Sequence, residues 1–277
     1  VYPAAHPAGF HPLSFLARYF DTIEINSSFY AMPRREHAER WVRLVADRQG
    51  FRFLVKLNRD LTHETSGVEA ERWPQLAAEF LNGIEPIAKS KKLGAILAQF
   101  PVSFRFGPEE VRRLGRLHAL LSGPPLVLEV RHASWFAPPA LDTIRGLGFS
   151  LAYVDLPASW DHPPDWHAPT GAIGYLRLHG RNSSQWFRRG AERDDKYDYL
   201  YGESEIEAIA RKAERIATVH DETSVVTNNH FEGKAVANAL EILSALRGEA
   251  VPAPSEIVAS FPHLQAHVRV EGQQQLF

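Results

Sequence analysis

The sequence predicts an α/β fold, a TIM-like (β/α)8 barrel that lacks its first strand. Three observations predict it. Short apolar runs of strand length recur along the chain. Amphipathic segments of helical period separate them. The 277 residues also match the roughly 250 that one such barrel uses. Strand then helix, repeated, specifies a parallel sheet wrapped by helices. An open doubly wound sheet is the competing architecture.

The seven runs are 21–27, 51–58, 93–100, 126–132, 149–156, 173–180 and 224–230. Helical candidates fill the intervals. Residues 34–46 follow Pro33, a natural first-turn residue. Residues 70–91 carry Trp73, Leu76, Phe80 and Ile84 at helical spacing, with Pro74 near the start and Pro86 as a kink. Residues 108–121, 204–218 and 234–246 repeat the pattern, and Ser204 with Glu207 reads as a capping box. An eighth strand is expected before the first, trimmed from a start that has no initiator Met. Residues 1–248 are expected to form a single barrel domain, and residues 249–277, with Pro252 and Pro254, an arm or tail. The connections 157–170 and 181–202 are long and read as lids or binding loops.

Composition narrows the function classes. Charge is −2 and apolar residues make up 44%, which excludes a disordered chain and argues against a surface given over to nucleic acid. There are no cysteines, so thiolate metal sites, iron–sulfur clusters and cysteine nucleophiles are excluded. No apolar run reaches the ~20 residues of a membrane helix, and the start VYPAAHPAGF has no signal-peptide pattern. A cytoplasmic protein without a membrane partner is expected.

Alternation within the strands carries the functional signal, because residues i and i+2 share a face. Glu24 and Asn26 oppose Ile23 and Ile25. Lys56 opposes Val55 and Leu57. Glu129 and Arg131 oppose Leu128 and Val130. Tyr153 lies with Asp155. Tyr175, Arg177 and His179 oppose Leu176 and Leu178. Gln99, Asn228 and Asn229 end their strands. With the apolar face on the helices, each strand sends a polar side chain inward near its C-terminal end, where barrel enzymes build their sites. A salt-bridge layer that merely plugs the barrel is the structural alternative.

The residue types suggest roles. Glu129, Asp155, Glu24 and His179 are the candidate catalytic groups, with Glu129 as base or orienting group and His179 as proton shuttle. Lys56, Arg131, Arg177 and Arg181 can clamp a small anion, assisted by Asn26, Gln99, Asn228, Asn229 and Tyr199. Glu24, Glu129, Asp155 and His179 are acceptable ligands for a divalent metal, but Lys56, Arg131 and Arg177 share their faces and repel a cation, so no metal residue is assigned. No Gly-rich nucleotide-cofactor motif is present. The loop 181–202 interleaves Arg188, Arg189, Arg193 and Lys196 with Trp186, Phe187, Tyr197, Tyr199 and Tyr201. It suits a lid over a small anionic ligand, with single-stranded nucleic acid as the alternative.

Several blocks, in order, carry a family resemblance: FDTIEINSSFY (20–30), FRFLVKLNRDLTH (51–63), LGAILAQFPVSF (93–104), LEVRHASWF (128–136), YLRLHGR (175–181) and NNHFEGKAVANAL (228–240). The chain resembles the YecE-like family, domain of unknown function 72, over nearly its whole length. The resemblance implies a TIM-like barrel and no particular activity. That family opens with a strand resembling Gly-Thr-Ser-Gly-Trp before the Tyr-Pro seen here as Tyr2-Pro3, which implies either a gap beside the 21–27 strand or an incomplete sequence. The C-terminal Gln273-Gln274-Gln275-Leu276-Phe277 resembles the peptide by which bacterial replication and repair proteins dock on the sliding clamp. Gln273, Leu276 and Phe277 would be its contacts.

An enzyme of hydrolase or isomerase type, acting on a small anionic or polar ligand, is therefore the leading expectation. A clamp-recruited nucleic-acid processing or repair protein is the alternative.

Overall fold

A computed structural model describes residues 1–3, 6, 8–63, 71–159, 161–186, 188, 190 and 193–270. Trp160, Phe187, Arg189 and the tail Gln273, Leu276 and Phe277 lie outside the described residues, as does the side chain of Arg193.

All seven apolar runs form strands. They are β1 (Thr22–Ile25), β2 (Arg52–Lys56), β3 (Leu93–Gln99), β4 (Leu126–Glu129), β5 (Ser150–Leu151) with β6 (Tyr153–Asp155), β7 (Ile173–Leu178) and β8 (Glu222–Thr227). The 149–156 run divides in two because its partners change. β5 pairs with β4 and β6 pairs with β7, both in parallel. Between them the Ala152 N–H still donates to Leu128 O at 2.9 Å, so the ladder continues across the break. β1-β2-β3-β4-β5 and β6-β7-β8 are the two strand orders.

The parallel α/β architecture is as expected, and the sheet is not closed. β1 and β8 are unpaired edges among the described residues. A cleft of about 520 Å³ lies where closure would need a further hydrogen-bonded strand; Thr22, Ile23 and Glu24 of β1 and Val225, Val226 and Thr227 of β8 line it. The sheet nevertheless curls. Its concave face gathers Leu54, Leu97, Val127, Val154, Tyr175 and Val226 into a cluster drawn almost wholly from strands. Its convex face packs on helices in two further clusters, around Phe53, Phe80 and Leu128 and around Leu176, Ile206 and Ile242.

The main helices fall near their expected bounds: Arg35–Leu44, Trp73–Lys89 with Pro86 inside, Pro108–Leu120, Glu203–Ala217 and Lys234–Arg247. The capping box is corrected. Gly202 is the N-cap, and Glu205 rather than Glu207 reaches back, accepting the Gly202 N–H at 3.0 Å. Beyond Arg247, Val251–Ala253 pairs in parallel with Val268–Val270 and packs with Ala237 and Leu240 of the preceding helix. No described helix is long and apolar enough to cross a membrane.

Candidate functional site

The polar residues at the strand ends divide between the two faces of the sheet. Glu24, Lys56, Glu129, Arg131, Arg177 and His179 take the concave side, two positions along from the apolar interior residues Leu54, Val127 and Tyr175 where these precede them. Arg177 is the central tie. Its Nε and Nη2 donate to Glu24 at 2.9 and 2.6 Å, and its Nη1 donates to Glu129 at 2.9 Å. One side chain on β7 thus spans to β1 and β4, which brings the curled sheet together. Arg131 donates to the second Glu129 oxygen through Nε at 2.9 Å and Nη2 at 2.8 Å. Tyr175 donates its hydroxyl to Glu24 at 2.5 Å.

His179 is fully buried between two fixed partners. Its Nε2 is 3.2 Å from Glu129 Oε1, and the Asn228 amide lies 3.1 Å from its Nδ1. With Asn228 as donor, Nδ1 accepts and the Nε2–H is left to donate to Glu129. Burial pushes the imidazole pKa down against the opposing pull of Glu129, which Arg131 and Arg177 partly offset, leaving it at about 4. His179 is neutral at pH 7. Burial alone would raise the two carboxyls, but Arg177 overcomes it in both. Glu24 lies below the ordinary range and Glu129 well below, the latter aided by Arg131 and His179. Both carboxylates are ionised.

Lys56 is the exception. It is 9% exposed, with its Nζ 4.0 Å from the centre of the Phe29 ring. The guanidinium groups already occupy the carboxylate oxygens, and no carboxylate among the described residues lies within ion-pair distance of it. Burial lowers its pKa to about 8, with Arg177 adding to the effect and Glu129 and Glu24 resisting it. The Ser28 hydroxyl donates to the Lys56 carbonyl at 2.6 Å, locking the end of β2 to the turn after β1. His63 meets Phe29 edge-on at 5.1 Å; burial first, and then Lys56 and Arg131, push it down to about 4.

The remaining candidates lie elsewhere. Asp155 is corrected to the convex side. Its strand does alternate, but Ala152, Val154 and Leu156 face inward, while Tyr153 stacks on His167 at 4.1 Å and packs with the helix layer. Arg181 follows it outward. Gly180 has φ +86°, and a Cβ there would stand 2.7 Å from Tyr199, so only glycine makes this turn. The turn breaks the alternation after His179 and aims Arg181 at Asp155 (2.6 Å) and Glu205 (2.8 Å). Tyr201 donates to Asp155 at 2.7 Å and accepts the Gly180 N–H at 2.8 Å. Burial raises the Tyr201 pKa, and Asp155 raises it further. Tyr199 donates to Glu205 at 3.0 Å. Asn229 donates to Tyr199 O at 2.8 Å and to Asn238 at 2.9 Å. Gln99 stays buried and donates to Phe100 O at 2.8 Å. Asn26 and Asn228 line the cleft between β1 and β8 beside Glu24.

Sequence reasoning missed three members. Phe29 sits one turn beyond β1 and has no pattern that marks it. Glu205 was hidden by the wrong capping register. Asn238 is fully buried and bonds Tyr201, Asn229 and Glu241; its signal was a lone amide within the apolar face of a helix. Two described aromatic residues of the 181–202 connection, Trp186 and Tyr197, lie near the interior layer. The Trp186 and Tyr197 rings lie 6.1 and 6.0 Å from that of His179, and the Arg131 guanidinium is 5.9 Å from the Trp186 ring. Among the described residues no group of three or more His, Asp or Glu is placed to hold a metal ion.

Comparison with known proteins gives consistent matches. The model of a family described as "Protein of unknown function DUF72" matches residues 1–259. The chain is 26% identical to UPF0759 protein YunF of Bacillus subtilis over 244 residues, covering 84% of this chain and 86% of that protein. It is 32% identical to UPF0759 protein YecE of Escherichia coli K12 over 130 residues, 47% of this chain and 44% of that protein. Among solved structures, a DUF72 family protein of Enterococcus faecalis superposes with TM-score 0.75 at 26% identity, covering 86% of this chain and 88% of that one. One from Thermotoga maritima gives 0.72 at 28% identity, covering 87% and 92%.

Proposed function

The chain belongs to the DUF72 family of proteins of unknown function, and from that premise we propose that its interior strand-end layer binds a small anionic or polar ligand as the active site of an enzyme of hydrolase or isomerase type. One observation carries the reading. Among the described residues the layer sets three cations, Lys56, Arg131 and Arg177, against two carboxylates, Glu24 and Glu129, and His179 adds no charge at pH 7. An excess buried positive charge costs several kcal/mol, and a bound anion offsets it.

The roles divide by access. Glu24 and Arg177 form the fixed frame. Glu129 orients His179 and Arg131, and with both ring nitrogens engaged His179 is a positioning residue. Arg131, 17% exposed at its side chain, and Lys56 are the cations left to meet a ligand. Trp186 and Tyr197 form a cover that keeps water from the charges and so strengthens them.

The test is thermal denaturation with inorganic phosphate, sulfate, pyruvate and dihydroxyacetone phosphate. At least one anion is expected to raise the Tm of the intact chain and to lose that effect in Arg131→Met. No shift from any of them at millimolar concentration overturns the reading.

A further inference from the structure

We propose that Lys56 is a nucleophilic amine and that the ligand of the interior layer is a small carbonyl-bearing anion, captured at Nζ as an imine. This rests on the ligand-site reading above and adds the substrate class.

Glu24 is held by Arg177 and Tyr175, and Glu129 by Arg177, Arg131 and His179. Two guanidinium groups therefore balance two carboxylates without Lys56. Arginine does not release its proton in proteins, whereas a buried lysine does. Lys56 is thus the layer's one adjustable charge among the groups just named, and shedding its proton leaves the layer neutral. Among the described residues the ammonium is held only by the face of Phe29, a weaker anchor than a carboxylate. With the pKa at about 8, roughly a tenth of the amine is uncharged at pH 7, about 300-fold more than in an ordinary lysine.

The anionic group follows from the product. The neutral Nζ lone pair forms a bond to the carbonyl carbon while the C=O π pair moves to oxygen, and a proton passes from nitrogen to that oxygen. The nitrogen electrons of the carbinolamine then form the C=N bond as the C–O bond breaks, and the hydroxyl leaves as water with the remaining N–H proton. Amine and carbonyl give imine and water, with no oxidant or reductant consumed. Protonation of the imine returns one positive charge to the layer, and a carboxylate or phosphate on the ligand matches it. Arg131, the most exposed of the guanidinium groups in the layer, is the partner for that anion.

The experiment incubates the intact chain with pyruvate or with dihydroxyacetone phosphate in the presence of borohydride, which reduces an imine to a stable secondary amine. Peptide mass spectrometry then locates the adduct. The expected result is preferential modification of Lys56, with a rate that rises through pH 8, and no such adduct in Lys56→Arg, which keeps the charge. Which probe reacts tells a carboxylate ligand from a phosphate one. Equal labelling of Lys56 and the exposed Lys89, or no adduct with either probe, overturns the proposal. As a check independent of ligand choice, reductive methylation with labelled formaldehyde followed by NMR should show Lys56 titrating near pH 8, and an ordinary lysine titration overturns the proposal. A Tm shift from either probe without an adduct rejects the imine while keeping the binding site; absence of both rejects the two readings together.

Discussion

The interior layer and the cluster on the helix side use the same kinds of side chain to different ends. Inside, Glu24, Glu129, Arg177 and His179 are almost wholly buried, and the charges of Glu24, Glu129 and Arg177 meet across the curled sheet from β1, β4 and β7. On the helix side, Asp155, Arg181, Tyr199, Tyr201 and Glu205 join a strand end, a loop and the start of the helix Glu203–Ala217, and Arg181 is 38% exposed at its side chain. Arg181 has its own carboxylates on both sides, whereas Lys56 has none among the described residues. Arginine pairing by itself therefore does not mark a site. What separates the two regions is an unmatched charge in a place that water reaches poorly. The helix-side cluster instead ties Arg181, Tyr199 and Tyr201 to Asp155 and Glu205.

The comparison is broken most directly at its centre. Arg177→Met leaves Glu24 and Glu129 buried without their shared counter-charge, and urea denaturation should register a loss of about 3–5 kcal/mol, or no cooperative transition. A variant within 1 kcal/mol of the parent would show that the layer is wetter than its burial implies.

Acid sharpens the contrast next. His179 has its pKa lowered from 6.5 to about 4, so the native state favours the neutral ring. Its contribution is complete above pH 6.5 and is lost as pH falls from 6.5 toward 4. Two and a half units correspond to about 3 kcal/mol. The half-buried His63 acts in the same window with a smaller, solvent-screened effect. The depressed pKa values of Glu24 and Glu129 add a further loss as pH falls below the ordinary carboxylate range near 4.5. Urea titrations at stepped pH should show His179→Gln flattening the 6.5-to-4 limb, and an unchanged slope contradicts a neutral buried His179.

Smaller effects belong to the helix side. Tyr201→Phe removes the hydroxyl that Asp155 accepts and Gly180 donates to, and should cost about 1–2 kcal/mol in chemical denaturation. Glu205→Ala removes a helix cap and a partly exposed ion pair. Its cost should stay near 1 kcal/mol and shrink in high salt, whereas that of Arg177→Met should not. Equal salt sensitivity in the two regions would erase the distinction between them.

Much of this was legible in the sequence. Strand length and helical period located every strand of the curled sheet, and alternation placed Glu24, Lys56, Glu129, Arg131, Arg177 and His179 on one face. Those signals are local: a two-residue repeat follows from backbone geometry, whatever surrounds it. Alternation says which residues share a face but not which face is inward. Tyr153 and Asp155 went outward because Ala152 and Val154 fit the crowded interior and His167 and Arg181 waited outside. Gly180 sent Arg181 after them through one left-handed turn. The open edges of β1 and β8, the saturation of both carboxylates by arginine and the isolation of Lys56, all among the described residues, are distances between segments far apart in the chain. Only tertiary structure decides them, because a charge is matched or unmatched by what folding brings beside it.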